Sequence, residues 1–405
     1  MSQTLSEQTI ALVKATVPAL EAHGLEIVQV MYTQMFKDPA IRDLFNQSHQ
    51  GGADAGSQPR ALAGAILAYA ANIENLGALT QTVERIAQKH VGLQIAPEHY
   101  PHVAEALLGA IKAVLGEAAT PEILNAWGEA YWFLANILIG RERDLYQEQA
   151  TTDGGWNGWR SFVIEGVHAE SAVISSFVLR PTDGAPVIRH KPGQYLTFWL
   201  EIPGRPPIKR NYSISGAANG QTYRISVKRE PHGLASGWLH EHAVPGTVLK
   251  VAPPAGDFFL ATAPERPVVL LSGGVGLTPM VAMLETLVAQ HPDVPVHYVH
   301  GAQDGATHAM GSHVRALTAN RPNMQVTTFY QTPRAEDAVG RDYDLPSLIN
   351  DHWLSTATPI KDADYYLCGP PAFLKALVPA LSLAGVSSDR IHYEFFGPAD
   401  DLLAA

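Results

Sequence analysis

Gly273-Gly274-Val275-Gly276-Leu277-Thr278-Pro279 is the stretch on which the reading of the fold turns. The apolar run 268–271 precedes it and the apolar run 280–289 follows it. A buried strand, a glycine turn and a helix in that order let the backbone approach a pyrophosphate and aim free helical N–H groups at it. Further apolar runs at 296–299, 325–329 and 364–367 are spaced by helical stretches. Strand alternating with helix predicts a parallel α/β sheet with helices on both faces.

Working back toward the N-terminus, the texture changes. Residues 171–179, 194–202, 223–228 and 247–251 are short β-rich runs separated by Gly and Pro, which predicts an antiparallel barrel. Before about residue 148 the pattern is helical throughout. Leu25, Val28, Tyr32 and Met35 form one stripe, Val83, Ile86, Ala87 and His90 a second, and Trp127, Tyr131, Leu134 and Leu138 a third, which Glu142 extends by a turn. Pro59 suits a first helical turn, and Pro97 and Pro101 mark a break. Thr151-Thr152-Asp153-Gly154-Gly155 reads as a linker. The expected division is 1–148, 156–262 and 266–405.

Composition narrows the class. A chain of 405 residues is too long for one core. A formal net charge of −11 argues against nucleic acid and against an anionic membrane surface. No apolar run reaches the ~20 residues of a membrane span. The opening Met1-Ser2-Gln3-Thr4-Leu5-Ser6-Glu7 lacks a secretion pattern. The single cysteine, Cys368, excludes an internal disulfide or a cysteine-built cluster. The expectation is a cytoplasmic protein.

Two more strings flank the glycine turn. Arg210-Asn211-Tyr212-Ser213 offers an aromatic ring, a hydroxyl and a guanidinium that can pair with a diphosphate, or is an ordinary strand with a surface arginine. Cys368-Gly369-Pro370 ends an apolar strand. Taken in order, the three resemble the flavin-then-nicotinamide module of the ferredoxin–NADP reductase superfamily. That resemblance implies cofactor contacts from Tyr195, Arg210, Asn211, Tyr212, Ser213, Ser236, Cys368 and the turn Gly274, Val275, Gly276, Leu277, Thr278 and Pro279. Phe395, Phe396, Gly397 and Pro398 would flank the flavin, with Glu394 at the electron exit. Read alone, Ser236 is equally a helix cap and Cys368 a buried structural thiol.

His90 on an apolar helical face is by spacing either a core residue or a metal ligand. Glu142 is expected near the C-terminal end of its helix, where the macrodipole disfavours it. As a hydrogen-bond acceptor it would make His90 a basic, oriented ligand, or it is the solvated end of Arg141-Glu142-Arg143-Asp144. Ala70-Ala71-Asn72-Ile73-Glu74, Ile86-Ala87-Gln88-Lys89-His90, Ala126-Trp127-Gly128, Gly154-Gly155-Trp156 and Ile391-His392-Tyr393-Glu394 then decide the question. With these strings the whole chain resembles the flavohemoglobin family, the bacterial and fungal nitric oxide dioxygenases. The resemblance implies heme b on His90, a His90–Tyr100–Glu142 network behind it, Tyr32 and Gln58 on the oxygen side, and Phe45 wedged against the heme. It places Lys89 with Glu394 between flavin and heme. Gln47 and Gln50 stay open as alternatives to Gln58, because the glycine-rich segment before it is long. Asn211 stands where the family commonly has glutamine, and Phe395 where it often has cysteine.

The implied cofactors are heme b, FAD and NADH or NADPH. The implied reaction converts NO and O2 to nitrate, by a monomer that needs no stable protein partner. Two other readings stay open: an O2 or NO sensor or carrier with a resetting reductase, and a flavin reductase serving other acceptors. His300-Gly301-Ala302-Gln303-Asp304 carries no Lys or Arg, which favours NADH unless Arg315 folds back.

Overall fold

The computed structural model describes residues 4–44 and 57–397. One compact unit comprises the described residues up to Thr151 together with Glu201–Lys209; the other comprises Thr152–Leu200 and Arg210–Gly397.

The first unit is helical: α1 (Glu7–Ala15), α2 (Val17–Met35), α3 (Pro39–Arg42), α4 (Ser57–Ala71), α5 (Thr80–Leu93), α6 (Tyr100–Leu115) and α7 (Pro121–Thr151). Local chemistry sets the ends. Ser6 caps α1 by accepting from the Thr9 N–H, and Asp38 caps α3 by accepting from the Ala40 N–H. Gln94 stops α5 in the left-handed conformation (φ 60°), and its backbone N–H bonds back to the His90 and Val91 carbonyls. Pro101 sits in the first turn of α6, where no intrahelical N–H is needed. The predicted stripes are the buried faces. Val28, Met31, Tyr32 and Met35 join Trp127 and Ala130 in one core cluster, and Ala87, Val91, Tyr100 and Leu138 form a second. Tyr131 and Leu134 pack against both.

One expectation is corrected here. Glu142 is not near the end of its helix, because α7 runs on to Thr151. Arg141, Glu142, Arg143, Leu145, Gln147, Glu148 and Gln149 are good helix formers, so the run continues the helix past Gly140 rather than stopping it. The macrodipole objection to a carboxylate at 142 therefore falls away.

The second unit holds two sheets. The antiparallel one has strands β1 (Arg160–Ala169), β2 (Ile174–Pro181), β3 (Tyr195–Leu200), β4 (Ile208–Ser213), β5 (Tyr223–Lys228) and β6 (Val248–Val251) in the order β4-β3-β6-β1-β2-β5. The outer strands meet in an Ile214–Ile225 bridge, which closes the barrel and removes the exposed edges. A short helix, α8 (Leu234–His242), lies between β5 and β6.

The parallel sheet has β7 (Val268–Gly273), β8 (Val296–Ala302), β9 (Met324–Tyr330), β10 (Asp364–Cys368) and β11 (Ile391–Glu394) in the order β11-β10-β7-β8-β9. Helices α9 (Leu277–Gln290), α10 (Gly311–Thr318), α11 (Asp351–Ala357) and α12 (Pro371–Leu383) connect its strands. All six residues of β7 are buried, as a strand covered on both faces requires. Among the described residues no helix is long and apolar enough to cross a membrane. The architecture is thus a helical unit followed by an antiparallel barrel and a parallel α/β sheet.

Candidate functional site

In the first unit three helices bring together one polar cluster inside an apolar setting. Glu142 on α7 is 2% exposed. Its Oε1 accepts from the Tyr100 hydroxyl at 2.6 Å and lies 2.7 Å from His90 Nδ1, while His90 Nδ1 and the Tyr100 oxygen are 3.2 Å apart. A carboxylate only accepts, so Nδ1 carries the proton and donates. That assignment leaves Nε2 as the basic nitrogen, which is the tautomer a metal needs. Burial, then the hydrogen bond to Glu142, push the Tyr100 phenol far up, so it stays a donor. Each hydrogen bond to the charged carboxylate is worth roughly 1.5–3 kcal/mol. The alternative of a solvated Glu142 is thereby ruled out.

Supports around this cluster had no local signal in the sequence. Tyr131 donates to the Tyr100 carbonyl and Tyr146 to the Ile95 carbonyl, each at 2.7 Å. Arg141 grips Glu84 with Nε at 2.6 Å and Nη2 at 2.9 Å, tying α7 to α5 one residue from Glu142. The partners are 57 residues apart in the chain, and only the fold pairs them.

The donor set fits a heme. His90 is an imidazole with one nitrogen oriented and the other left to serve as a ligand, and its side chain remains 31% exposed although Ala87 and Val91 beside it are buried in the core. Tyr32 is buried on α2, stacked on Phe36 at 5.1 Å, and burial pushes its phenol well up, so its hydroxyl is a permanent donor. Gln58 lies in the first turn of α4 and is half-buried. Lys89 is exposed on α5. Phe45, Gln47 and Gln50 lie outside the described residues, as does Pro398.

In the second unit the glycine turn, Cys368 and Glu394 converge at the C-terminal edge of the parallel sheet. Gly273 ends β7, Cys368 ends β10 and Glu394 ends β11, with Cys368 in register with both Ser272 and Glu394. Gly274, Val275 and Gly276 form one 3-10 turn that leads directly into α9, with Leu277, Thr278 and Pro279 buried in its first turn. A Cβ on Gly276 would collide with the Cys368 backbone carbonyl, so the turn and the Cys368 strand end can meet only through glycine. Cys368 is fully buried; burial, then Glu394, push its thiol well up. Burial, then the same carboxylate, push up Tyr195, so Glu394 lies electrostatically close to both.

Arg210, Asn211, Tyr212 and Ser213 sit on β4. Asn211 accepts from the Thr197 hydroxyl at 2.9 Å, which fixes its amide within the barrel, and the Tyr212 ring packs edge-on to Phe198 at 5.7 Å. Burial lowers the Arg210 guanidinium. Gly193 before Tyr195 has φ +115° beside the Phe258 carbonyl, where a Cβ would lie 2.5 Å away. Ser236 accepts from the Glu230 N–H at 3.1 Å and shapes the loop entering α8. Phe395 is half-buried, and Phe396, at 44% exposed, offers an open ring beside Gly397. Basic, aromatic and hydroxyl groups on one strand, with a glycine turn on the facing sheet, form a donor set that fits a flavin and a dinucleotide.

Known proteins share both halves. A globin family model matches residues 29–138, and the oxidoreductase NAD-binding domain model matches residues 270–378. The chain is 54% identical over 406 residues to a flavohemoprotein of Xylella fastidiosa, covering 100% of each chain. It is 47% identical over 400 residues to the flavohemoprotein of Bordetella pertussis, covering 97% of this chain and 98% of that one. Among solved structures, the flavohemoglobin of Malassezia yamatoensis with bound FAD and heme superposes with a TM-score of 0.87 at 29% identity, over 98% of this chain and 100% of that one. The flavohem-like FAD/NAD-binding domain of nitric oxide dioxygenase from Vibrio cholerae matches 59% of this chain and 99% of its own at 39% identity, with a TM-score of 0.54.

Proposed function

The chain belongs to the flavohemoprotein family, and we propose that it is a nitric oxide dioxygenase that turns NO and O2 into nitrate with electrons from NAD(P)H. When bound, FAD takes a hydride and releases electrons singly, and heme b supplies the iron at which O2 is made reactive toward NO. The balance is NO + O2 + one electron to nitrate, so one NAD(P)H supports two turnovers.

The observation that carries this reading is the His90–Tyr100–Glu142 triangle. A buried carboxylate accepting from Nδ1 makes the imidazole more anionic and its Nε2 a stronger electron donor to a metal. Such push favours activating oxygen over storing it. Tyr32, held protonated, donates a hydrogen bond to a ligand gaining negative charge. Gln58 and Phe45 complete that side. In the reductase half, Arg210 holds the flavin diphosphate and Ser236 shapes the loop beside it. Tyr195, Tyr212 and Phe396 bracket the ring, and Ser213 reaches its edge. The turn Gly274–Gly276 with α9 takes the nicotinamide dinucleotide, and Cys368 lines the hydride path. Lys89 and Glu394 flank the path of the electron to the heme.

We read residues 1–148 as the heme domain, 156–262 as the flavin barrel and 266–405 as the nucleotide domain, in a monomeric cytoplasmic protein. The test is NADH consumption under air, with and without NO, alongside nitrate analysis. NO should accelerate consumption and yield two nitrates per NADH; an unaltered rate with no nitrate refutes the reading.

A further inference from the structure

Helix α9 buries ten of its fourteen residues, Leu284, Thr286 and Leu287 among them. A carboxylate in such a helix is costly unless it is partnered. Glu285 has three partners from three elements. Its Oε1 accepts from Arg224 Nη2 on β5 and from His313 Nε2 on α10, each at 2.7 Å. Its Oε2 accepts from the Ala217 N–H, in the connection between β4 and β5, at 2.7 Å. Arg224 is itself held by the Ser215 carbonyl and hydroxyl. Burial works against the Glu285 charge, but His313, Arg224 and the Ala217 amide outweigh it and hold the carboxyl below its usual range. One carboxylate thus joins the flavin barrel, through Arg224 and Ala217, to the nucleotide half, through α9 and α10.

The rest of the joint is mainly apolar, with two further hydrogen bonds, from the Ala172 N–H to the Ala306 carbonyl at 2.9 Å and from the Ala261 N–H to the Tyr366 hydroxyl at 3.3 Å. Phe258 and Leu260, on the segment leaving the barrel, share a cluster with Met280, Met283 and Tyr366. Apolar burial is non-directional, so it holds two bodies together without fixing their angle. An open pocket of about 200 Å³, lined by Val178, His190, Ile214, Arg224 and Glu285 itself, lies at this seam. Alignment at this seam must come from directional bonds.

The geometry points to Glu285 as a positioning residue for hydride transfer, a pin that sets the angle of the nucleotide half on the flavin barrel through Arg224, Ala217 and His313. This rests on the reading that NAD(P)H reduces a flavin held by β4, and is independent of what the heme half does with the electrons. The nicotinamide would reach the flavin from the Cys368 edge of the parallel sheet, and Glu285 is not among the residues assigned to either cofactor, so its effect would be felt as distance and angle.

The test uses the full chain with both cofactors, without oxygen or NO, in the wild type and in Glu285→Gln, Glu285→Asp and Arg224→Ala. Flavin bleaching by NADH is followed by stopped flow. A misplacement of 1 Å can cost ~100-fold in rate, so the limiting rate in Glu285→Gln should fall about tenfold or more. The half-saturating NADH concentration should stay within about twofold, because uniform binding is untouched. Glu285→Asp, which keeps the charge on a shorter arm, should lie between the two. Hydrogen exchange at the Ala217 amide, measured without NADH, should quicken at least about tenfold in Glu285→Gln, the factor expected for about 1.4 kcal/mol of lost protection. A limiting rate within about twofold of wild type overturns the proposal. So does a loss of rate that vanishes when expressed per bound flavin, or unchanged exchange at Ala217. A wild-type flavin that NADH fails to bleach would sink the underlying reading instead, and Ala217 exchange would still decide whether Glu285 holds the joint.

Discussion

The two halves carry their chemistry in different ways. In the reductase half the candidate cofactor groups are contiguous: Arg210 to Ser213 on one strand, Gly274 to Pro279 on one turn and the helix start after it, Cys368 at one strand end. In the globin half His90, Tyr100 and Glu142 come from three helices and span 52 residues. A backbone that must approach a pyrophosphate needs glycine at fixed offsets, so its constraint is written locally. A ligand histidine and its acceptor need only meet in space, so their constraint is written in packing. The difference predicts that the halves fail separately.

The largest effect sharpens that separation. His90→Ala should abolish stable heme binding, because no other described side chain occupies its place in the triangle. The flavin should remain bound, and NADH-driven reduction of an artificial dye should continue, since each half has its own core. The measurement is the heme absorbance band beside dye reduction in the same preparation. A normal heme band in the mutant would remove His90 as the ligand, and loss of dye reduction would remove the independence of the halves.

Acid should separate them next. Burial depresses His190, His297, His300, His308 and His392 in the second unit, against His99 in the first. His190 and His308 are each pulled from 6.5 to about 4, with His308 stacked on the buried His300 at 4.9 Å and Arg315 adding to its depression. The folded state keeps these rings neutral while the unfolded chain takes up protons below pH 6.5. Their stabilisation is therefore complete above pH 6.5 and is lost as pH falls toward about 4. At pH 5 the loss is about 2 kcal/mol for each of the two. Calorimetry with two transitions should show the reductase transition dropping between pH 6.5 and 5 while the globin transition moves less. Parallel shifts would break the comparison.

Within the globin half, Tyr32→Phe removes a hydrogen bond to a ligand that gains negative charge, worth roughly 1.5–3 kcal/mol. That is about 10- to 150-fold in affinity. The loss should appear in the O2 dissociation rate, since the bond exists only after binding. Carbon monoxide, which gains little charge, should respond much less, and heme reduction by NADH should continue. Dissociation within about twofold of wild type, or ~0.4 kcal/mol, would make Tyr32 a core residue and turn attention to Gln58.

These contrasts explain what could be read from residues alone. The stripe holding Val28, Tyr32 and Met35 and the run 268–271 became α2 and β7 because periodicity and burial agree there. Strand β1 had no forecast: Arg160, Glu165, Gly166 and His168 break its pattern, and only its partners β2 and β6 hold it. Glu142 was misplaced along its helix because α7 runs through charged residues that no stop signal interrupts. The pairs Arg141–Glu84 and Glu285–Arg224 were illegible because nothing local demands them. Where a site is a backbone shape, one string reveals it; where it is a meeting of side chains, only the fold or a resemblance does.

The smallest effect concerns the nicotinamide itself. The connection after β8 keeps the acidic character seen in 300–304, and the structure adds acids to it. Asp337 accepts from the Gly305 and Arg334 N–H groups, and Asp342 accepts from the Ala338 N–H. Arg315 does turn toward this region, since its charge depresses His308 and helps depress Asp342. One Nη2 of Arg315 is buried without a hydrogen-bond partner. A 2′-phosphate dianion would gain that guanidinium and meet Asp304, Asp337 and Asp342 around it. Charges of opposite sign within a Debye length largely cancel, so the net should disfavour NADPH by about 1 kcal/mol, or roughly fivefold in kcat/KM. Arg315→Ala should then lower kcat/KM for NADPH a few-fold and leave NADH within about twofold. A wild-type preference for NADPH, abolished by Arg315→Ala, would show that the single guanidinium outweighs the carboxylates and reads the phosphate.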